Sequence, residues 1–145
     1  MIRKYAPADC NDVMDVWAAA SAVAHSFLSR EFLEQERRTI PAEHLPKADT
    51  WVWEEDGRVV GFLSLLGNEV GALFVDPGFQ RSGIGRALLD RARALQGELE
   101  VDVFRENAIG RAFYAANGFE EIPGGGHEQA GHEVLRLHLP ANMPP

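Results

Sequence analysis

Glycine and arginine residues are grouped near the middle of the chain, directly after an apolar segment that ends at Val75. Gly83 and Gly85 open a stretch with helical apolar spacing, and Arg81 and Arg86 lie on either side of them. The first turn of a helix carries unpaired N–H groups and a partial positive charge, and glycine leaves room for an anion to reach them. The residue types and their spacing therefore predict a diphosphate-binding site.

Two other phosphate-binding patterns fit this segment less well. A Walker loop requires Gly-Lys-Ser/Thr, which the chain lacks. A dinucleotide-binding fingerprint requires a third glycine, where this chain has Leu88, and a first glycine close to its strand. Seven residues separate Val75 from Gly83 here, although Asp102 lies at the distance expected for the acidic residue of that fingerprint. These departures disfavour a nicotinamide-binding domain.

A third pattern fits. Gln80-x-x-Gly83-x-Gly85, placed after Val75-Asp76-Pro77, closely resembles the coenzyme A signature of the GNAT superfamily of acetyl-CoA-dependent N-acetyltransferases. A second set with that superfamily's order and spacing is Val103, Asn107, Phe113-Tyr114 and Gly118-Phe119. The resemblance covers residues 51–122, and the first fifty residues resemble the superfamily only in having two helices.

The resemblance implies that acetyl-CoA lies along one strand and one helix terminus. In this superfamily the strand at Leu73-Phe74-Val75 parts from its neighbour at a bulge and pairs with the pantetheine arm, while an N–H of Phe74 or Val75 holds the thioester oxygen. Asn107 would hydrogen-bond the pantetheine, and a plain helix N-cap is a second role that can hold beside it. The implied acetyl-CoA contacts are Leu73, Phe74, Val75, Gln80, Arg81, Ser82, Gly83, Ile84, Gly85, Arg86 and Asn107.

The resemblance also implies that Tyr114 protonates the departing thiolate. General-acid catalysis of this kind contributes roughly 10²–10⁴-fold. The alternative role is a half-buried aromatic of the helix that begins at Asn107. That helix already has an apolar stripe that leaves Tyr114 to one side, which favours the catalytic role over this alternative. That stripe consists of Ile109, Ala112, Phe113 and Ala116.

Two carboxylates are candidates for the general base. Deprotonating a lysine amine at pH 7 costs about 4–5 kcal/mol, whereas an α-amine costs about 1 kcal/mol, so only some acceptors demand a base. Glu69 and Asp102 match positions where some superfamily members carry a catalytic carboxylate. The alternatives are that Glu69 flanks a turn and that Asp102 faces solvent on an alternating strand.

The acceptor pocket is expected between the first two helices, where this superfamily usually builds it. His25 and Phe27 lie in that connection, and Trp51 is a candidate for the pocket wall. The alternatives are an ordinary loop histidine and ordinary sheet packing. The first fifty residues carry no motif that identifies the acceptor.

Periodicity predicts the helices that position these residues. Apolar residues at helical spacing indicate helices over 9–24, 29–39 and 83–96, and a further helix follows Asn107. Pro41 and Pro46 predict a loop after the second helix. Asn117-Gly118 ends the last helix.

Turn residues predict the strands. Asp56-Gly57 and Gly67-Asn68 separate three β-rich segments, which indicates an antiparallel meander. Two more strands, 119–122 and 134–139, close the chain across a loop rich in glycine and histidine. The order β-α-α-β-β-β-α-β-α-β-β predicts an α/β (α+β) GNAT fold with a mixed sheet of about seven strands and about four flanking helices.

Composition and charge restrict the remaining possibilities. The 145 residues, 46% apolar, suit one domain over 1–145, and the net charge of −8 disfavours a nucleic-acid partner and favours a cationic amine. The single Cys10 excludes an internal disulfide, and His127 and His132 lack an evident third metal ligand, so no metal is expected. Neither a signal peptide nor a membrane-length apolar segment is visible, so we expect a cytoplasmic protein without a membrane partner. A homodimer is compatible with the sequence.

The expected activity is acetyl transfer from acetyl-CoA to a primary amine by direct attack in a ternary complex. No covalent intermediate is expected, because no nucleophile–base pair with supporting spacing is present. The alternative is a non-catalytic acyl-CoA-binding module on the same fold, which would keep Gly83, Gly85 and Arg86 but would not need Tyr114.

Overall fold

The computed structural model describes residues 1–141. Helices cover both faces of one eight-stranded sheet. The strands are β1 (Ile2–Lys4), β2 (Asp49–Glu55), β3 (Arg58–Leu66), β4 (Glu69–Val75), β5 (Leu99–Phe104), β6 (Glu120–Glu121), β7 (His127–Gln129) and β8 (His132–Leu139). The helices are α1 (Cys10–Ala24), α2 (Arg30–Thr39), α3 (Leu45–Lys47), α4 (Ile84–Gln96) and α5 (Ala108–Ala116).

Tight turns set the register of the first half of the sheet. Asp56 and Gly57 both adopt positive φ, at 52° and 79°, which joins β2 to β3 in the turn that matches strand twist. Gly67, with φ of 60°, lies in the turn between β3 and β4. The resulting antiparallel register pairs Trp51 with Leu63 and Leu63 with Leu73. The predicted meander is confirmed.

The second half contributes the strands that close the sheet. The sheet order is β1-β2-β3-β4-β5-β8-β6, with β7 paired to β8. Among the strand pairs within residues 1–141, only β4 with β5 is parallel. This arrangement follows from α4, which crosses over between β4 and β5.

Two apolar layers hold the helices on the sheet. One layer packs α4 and α5 on one face, with Leu88 and Leu89 fully buried beside Leu63 and Leu99. The other packs α1 on the opposite face, where Val13 and Val16 meet Val52 and Phe62. Each buried aliphatic side chain of this kind contributes about 1.5–3 kcal/mol. Among residues 1–141, no helix combines the length and the apolar content that a bilayer crossing requires.

The prediction of a loop after α2 is wrong. Residues 40–44 form a π-helical turn, and α3 follows it directly. Pro41 and Pro46 lie near the start of these two elements. Leu45 N–H donates to Ile40 O, and this wider π-type turn carries the helical path past Pro41. Ile40 and Leu45 are buried and anchor this path on the α1 face.

The loop predicted between the last two strands contains a further strand, β7. β7 pairs with β8 through a tight turn at Ala130 and Gly131, whose φ angles are 54° and 79°. Alanine rarely adopts positive φ, so the turn lacks the Asn-Gly or Asp-Gly signature that marks the β2–β3 turn. This is why the sequence pattern did not reveal the hairpin.

Candidate active site

The parallel strands β4 and β5 part soon after they meet. Only Glu69 with Glu100 and Val70 with Val101 are paired, although β4 continues to Val75 and β5 to Phe104. The separation leaves a gap between the carboxyl-terminal halves of two neighbouring strands. Such a gap exposes backbone N–H and C=O groups that a sheet would otherwise pair.

A β-bulge at Gly71 accompanies the separation. Ser64 pairs with Ala72 and Leu65 pairs with Val70, so Gly71 is an extra residue on β4. A bulge bends its strand and increases the local twist, which turns the end of β4 away from β5. The parting at a bulge that the family resemblance implied is therefore present.

Ladder alternation identifies which backbone groups face the gap. Asp76 donates its N–H to Val60 O at 2.8 Å, so residues 72, 74 and 76 direct their hydrogen bonds toward β3. Leu73 and Val75 consequently present their N–H groups to the gap. Of the two donors expected for a thioester oxygen, Phe74 faces β3 and Val75 faces the gap, and Leu73 is a second donor there.

The amino terminus of α4 lies at one end of the gap. Gly83 is its N-cap, with φ of 86°, a conformation that side-chain-bearing residues rarely adopt. Arg81 and Arg86 are exposed, and neither has an ion pair within residues 1–141. Gln80 donates from Nε2 to Val75 O at 3.4 Å, which ties the loop to the end of β4. Two exposed guanidinium groups, without an ion pair among residues 1–141, and the N-terminus of a helix give this end of the gap the charge that suits an anion.

The packing of α4 requires a glycine at position 85, whereas the motif indicated that glycine leaves room for an anion. A Cβ at this position would lie 3.2 Å from Phe113 Cε1 and 3.7 Å from Val75 Cγ2. Its hydrogen therefore permits α4 to pack closely on α5 and β4. Two neighbouring predicted contacts offer no side chain to a ligand: Ile84 is buried in the core, and the Ser82 hydroxyl donates to Phe79 O.

A cavity of about 850 Å³ connects the gap to both faces of the sheet. Its lining includes Gly83 and Arg86 at the start of α4, Leu73 and Phe104 along the gap, and Glu36 of α2. The cavity brings together most of the residues predicted for acetyl-CoA. Its walls beyond the gap are largely apolar, with Glu36 as a carboxyl group among them; burial raises the pKa of Glu36, and His44 opposes this shift.

Tyr114 lines this cavity and is 7% exposed. Its ring packs edge-on against Phe113 and Phe119, with centroids 5.3 and 5.1 Å away. Burial raises the pKa of the hydroxyl well above its usual range, so the group stays protonated at neutral pH. Within residues 1–141 the hydroxyl has no hydrogen-bond partner.

The predicted apolar stripe of α5 is wrong. Ile109 is 48% exposed, and Ala112 and Ala116 are exposed as well, whereas Tyr114 is the buried residue of this helix. The helix docks through the face that carries Gly110 and Tyr114, and apolar type alone did not identify that face. Tyr114 therefore belongs to the buried face of the helix, and the expectation that it lies beside the apolar stripe is wrong.

Asn107 caps α5 through its side chain. Its Oδ1 accepts a hydrogen bond from Gly110 N–H at 2.9 Å, and the residue is 8% exposed. A Cβ on Gly110 would lie 2.4 Å from Asn107 Nδ2, so glycine is required to fit the cap. The amide nitrogen Nδ2 lies 3.3 Å from His25 Nε2. The N-cap role is present, and Nδ2 faces the cavity side.

Arg136 holds both carboxylates that were candidates for the base. It donates to Glu69 Oε1 at 3.1 Å and to Asp102 Oδ1 at 3.0 Å, and it lies 3.6 Å from Glu100 Oε2. Burial lowers the pKa of Arg136, but the hydrogen bonds to Asp102 and Glu69 outweigh that effect and raise it. Each candidate base therefore already accepts a hydrogen bond from a permanent cation.

We expect Arg136→Gln to lower the free energy of unfolding by about 1–2 kcal/mol, because three carboxylates would lose their common cation in a partly exposed site. Urea denaturation at pH 7 measures the change. Added salt should shrink it by screening the repulsion. Arg105→Gln removes a cation that is paired with the exposed Glu133, so it is the matched control and should change stability less. Equal effects for the two variants would contradict this role of Arg136.

The residues predicted for the acceptor pocket lie on opposite faces of the sheet. His25 lines the cavity, and Phe27 contacts the rings of His25 and Phe104. Trp51 does not line it, and this assignment is corrected: Trp51 faces α4, where Arg91 lies 4.6 Å from its ring centroid. Strand alternation places Trp51 on the face opposite His25.

Three residues were not assigned to the site from the sequence: Ser21 and Glu36, which line the cavity, and Arg136, which lies outside its lining but holds Glu69 and Asp102. Arg136 is paired with Asp102 only through the register of β5 and β8, which no local pattern shows. Ser21 is buried on α1 with an unpartnered hydroxyl, and Glu36 lies on a helix that reads as a solvated charged surface. The apolar spacing of α1 was the one signal that could have indicated which residues flank Ser21.

The comparisons with known proteins agree with this geometry. The family model of the acetyltransferase (GNAT) domain matches residues 46–121. Peptidyl-lysine N-acetyltransferase YiaC of Escherichia coli (strain K12) is 31% identical over 123 residues, 84% of each chain. Peptidyl-lysine N-acetyltransferase YjaB of the same strain is 32% identical over 120 residues, 82% of this chain and 81% of the relative.

Solved structures share the fold. The solution structure of apo-form YjaB from Escherichia coli has a TM-score of 0.86 at 28% identity and covers 98% of both chains. The crystal structure of PaiA N-acetyltransferase from Thermoplasma acidophilum in complex with coenzyme A has a TM-score of 0.76 at 20% identity and covers 94% of this chain and 96% of that chain. The chain belongs to the GNAT family, whose members are acetyltransferases that use acetyl-CoA.

Proposed function

We propose that this enzyme transfers the acetyl group of acetyl-CoA to the side-chain amine of lysine in a peptide or protein. The acceptor class is supported by two relatives at 31% and 32% identity that are named peptidyl-lysine N-acetyltransferases. The observation that carries the proposal is the gap between β4 and β5, because it joins an anion site, exposed backbone donors and Tyr114 in one cavity.

Acetyl-CoA fits this cavity by charge and by hydrogen bonding. The N–H groups at the start of α4, with Arg81 and Arg86, suit the diphosphate, and Gln80 holds their loop against β4. The exposed backbone groups of Leu73 and Val75 suit the amides of pantetheine. Asn107 supplies an Nδ2 donor on the opposite side of the gap.

The residues of the gap then divide the chemistry. The N–H of Leu73 or Val75 donates to the thioester oxygen as negative charge develops there. Tyr114 gives its proton to the departing sulfur. The amine attacks directly, and no covalent intermediate with the protein is formed.

The far end of the cavity suits a lysine side chain. Its apolar wall can cover the methylene groups, and Glu36 of α2 supplies a carboxyl group in the lining. The net charge of −8 further attracts a cationic acceptor. A non-catalytic acyl-CoA-binding module would need neither a protonated tyrosine in the cavity lining nor an acceptor cavity.

The test is acetyl-CoA with an N-terminally blocked peptide that carries a single lysine. We expect release of free coenzyme A thiol and acetylation of the lysine, detected by mass spectrometry. The control peptides replace the lysine by arginine or carry a free α-amine with no lysine. Acetylation of the α-amine alone would contradict the acceptor class, and saturable acetyl-CoA binding with no amine-dependent thiol would favour the binding module.

A further inference from the structure

We propose that His25 is the general base that receives the proton of the attacking amine. This assignment rests on the proposed transferase function and goes beyond it by naming a base. His25 is the C-cap of α1, where its backbone N–H donates to Ser21 O at 2.8 Å. Its ring reaches from the helix end into the cavity.

The ring lies over the gap between the parted strands. Its centroid is 6.1 Å from Phe74 on β4 and 5.4 Å from Phe104 on β5, with edge-to-face geometry to both. These two aromatics lie on the α1 face of the sheet, whereas Tyr114 packs in the layer with α4. A base and an acid on opposite faces of the gap can act on the same reacting group without neutralising each other.

The hydrogen bonds around His25 determine which ring nitrogen is free of a proton. Asn107 Oδ1 is committed to Gly110 N–H, so the amide group toward His25 is the donor Nδ2. A donor at 3.3 Å requires His25 Nε2 to act as an acceptor, which gives the neutral ring with its proton on Nδ1. The bond is long, and an amine can replace it at little cost.

The surroundings of the ring favour its neutral form. Burial lowers the pKa of His25. Phe27, Phe74 and Phe104 are uncharged, and His132 of β8, which lies against Phe27 and Phe104, is paired with Glu106 at 2.8 Å.

The charged groups that share the cavity do not hold the ring as a cation. Glu36 of α2 lines the same cavity, and Glu69 and Asp102 are bound by Arg136. Within residues 1–141, no charged group hydrogen-bonds to the His25 ring. The His25 ring is therefore more available to accept a proton than Glu69 or Asp102, since each of these carboxylates is hydrogen-bonded to Arg136.

The step balances as follows. The acceptor reacts as the free amine, after its ammonium form has lost a proton to solvent. The amine lone pair forms the new C–N bond, and one N–H proton passes to His25 Nε2 as the C–S bond breaks. The sulfur takes the bonding electrons and the Tyr114 proton. His25 then returns its proton to solvent, and Tyr114 regains one.

The experiment compares His25→Gln with wild type across pH, using acetyl-CoA and the single-lysine peptide. Glutamine keeps an acceptor for Asn107 but does not titrate. We expect kcat at pH 7 to fall roughly 10²-fold, the KM for acetyl-CoA to stay unchanged, and the acidic limb of the kcat profile, with its midpoint below 6.5, to disappear. Free imidazole should restore part of the activity of His25→Ala. His138→Gln, on a histidine that pairs with Glu98, is the matched control.

Several results would overturn the assignment. These are an unchanged kcat for His25→Gln, a lowered kcat with the same acidic limb, or an NMR titration of the His25 ring with a midpoint at or above 6.5. If the wild type accepts a different amine, the lysine acceptor is wrong, and the His25 variants are compared with that amine. Failure of the base and failure of the acceptor class are thus distinguishable.

Discussion

Replacing Tyr114 by phenylalanine will lower kcat at least about tenfold and leave the affinity for acetyl-CoA unchanged. The phenylalanine ring keeps the edge-on contacts with Phe113 and Phe119, so the substitution removes the hydroxyl and little else. Because burial raises the pKa of this hydroxyl, the acid form persists well into the alkaline range.

Steady-state kinetics and calorimetry with acetyl-CoA measure the two expectations for Tyr114→Phe. Tyr5→Phe is the matched control, since Tyr5 lies at the end of β1 and outside the cavity lining. The account also expects no alkaline loss of kcat from ionisation of Tyr114 below pH values of about 10. Equal turnover by Tyr114→Phe and wild type would remove this residue from the mechanism.

Replacing Arg81 and Arg86 together by glutamine will weaken acetyl-CoA binding at least about tenfold, which is about 1.4 kcal/mol or more. Both guanidinium groups lie beside the N-terminus of α4 without an ion pair within the described chain, so their charge is available to a diphosphate. The kcat at saturating acetyl-CoA should stay unchanged, because neither side chain reaches the acyl group. Binding by wild type should weaken with added salt more than binding by the variant.

Arg38→Gln with Lys47→Gln is the control for this pair. It changes the net charge by the same amount, from −8 to −10, at exposed positions away from α4. If the control weakened binding as much as the Arg81 and Arg86 variant, the effect would come from the overall field. An unaltered Kd in the Arg81 and Arg86 variant would place the diphosphate elsewhere.

Local chemistry was sufficient to predict the first half of the sheet. Asp56-Gly57 and Gly67-Asn68 are turns whose residue types match the backbone they adopt, so the meander followed from neighbours in sequence. The hairpin at Ala130 and Gly131 has the same geometry without the same residue types. The π-helical turn at 40–44 likewise depends on burial of Ile40 against α1, which no local pattern encodes.

The diphosphate motif was predicted from its residues, but part of its physical basis was not. Gly83 is required by its positive φ, as a loop entering a helix would suggest. Gly85 is required by the approach of Phe113, which is twenty-eight positions away in sequence. Motif spacing located both glycines, and only the packing of α4 on α5 explains the second one.

Residues that act through tertiary pairing were the least predictable. Glu69 and Asp102 were found as carboxylates on strands, but their shared partner Arg136 comes from β8. The environment of His25 is assembled from β4, β5 and the start of α5, so its sequence neighbours alone left its role open.

A crystal structure with acetyl-CoA tests the central claim most directly. The account predicts the diphosphate on the N–H groups that open α4, the pantetheine beside Leu73 and Val75, and the thioester sulfur within hydrogen-bond reach of the Tyr114 hydroxyl. A diphosphate bound away from Gly83, or an acetyl group outside the gap between β4 and β5, would contradict it.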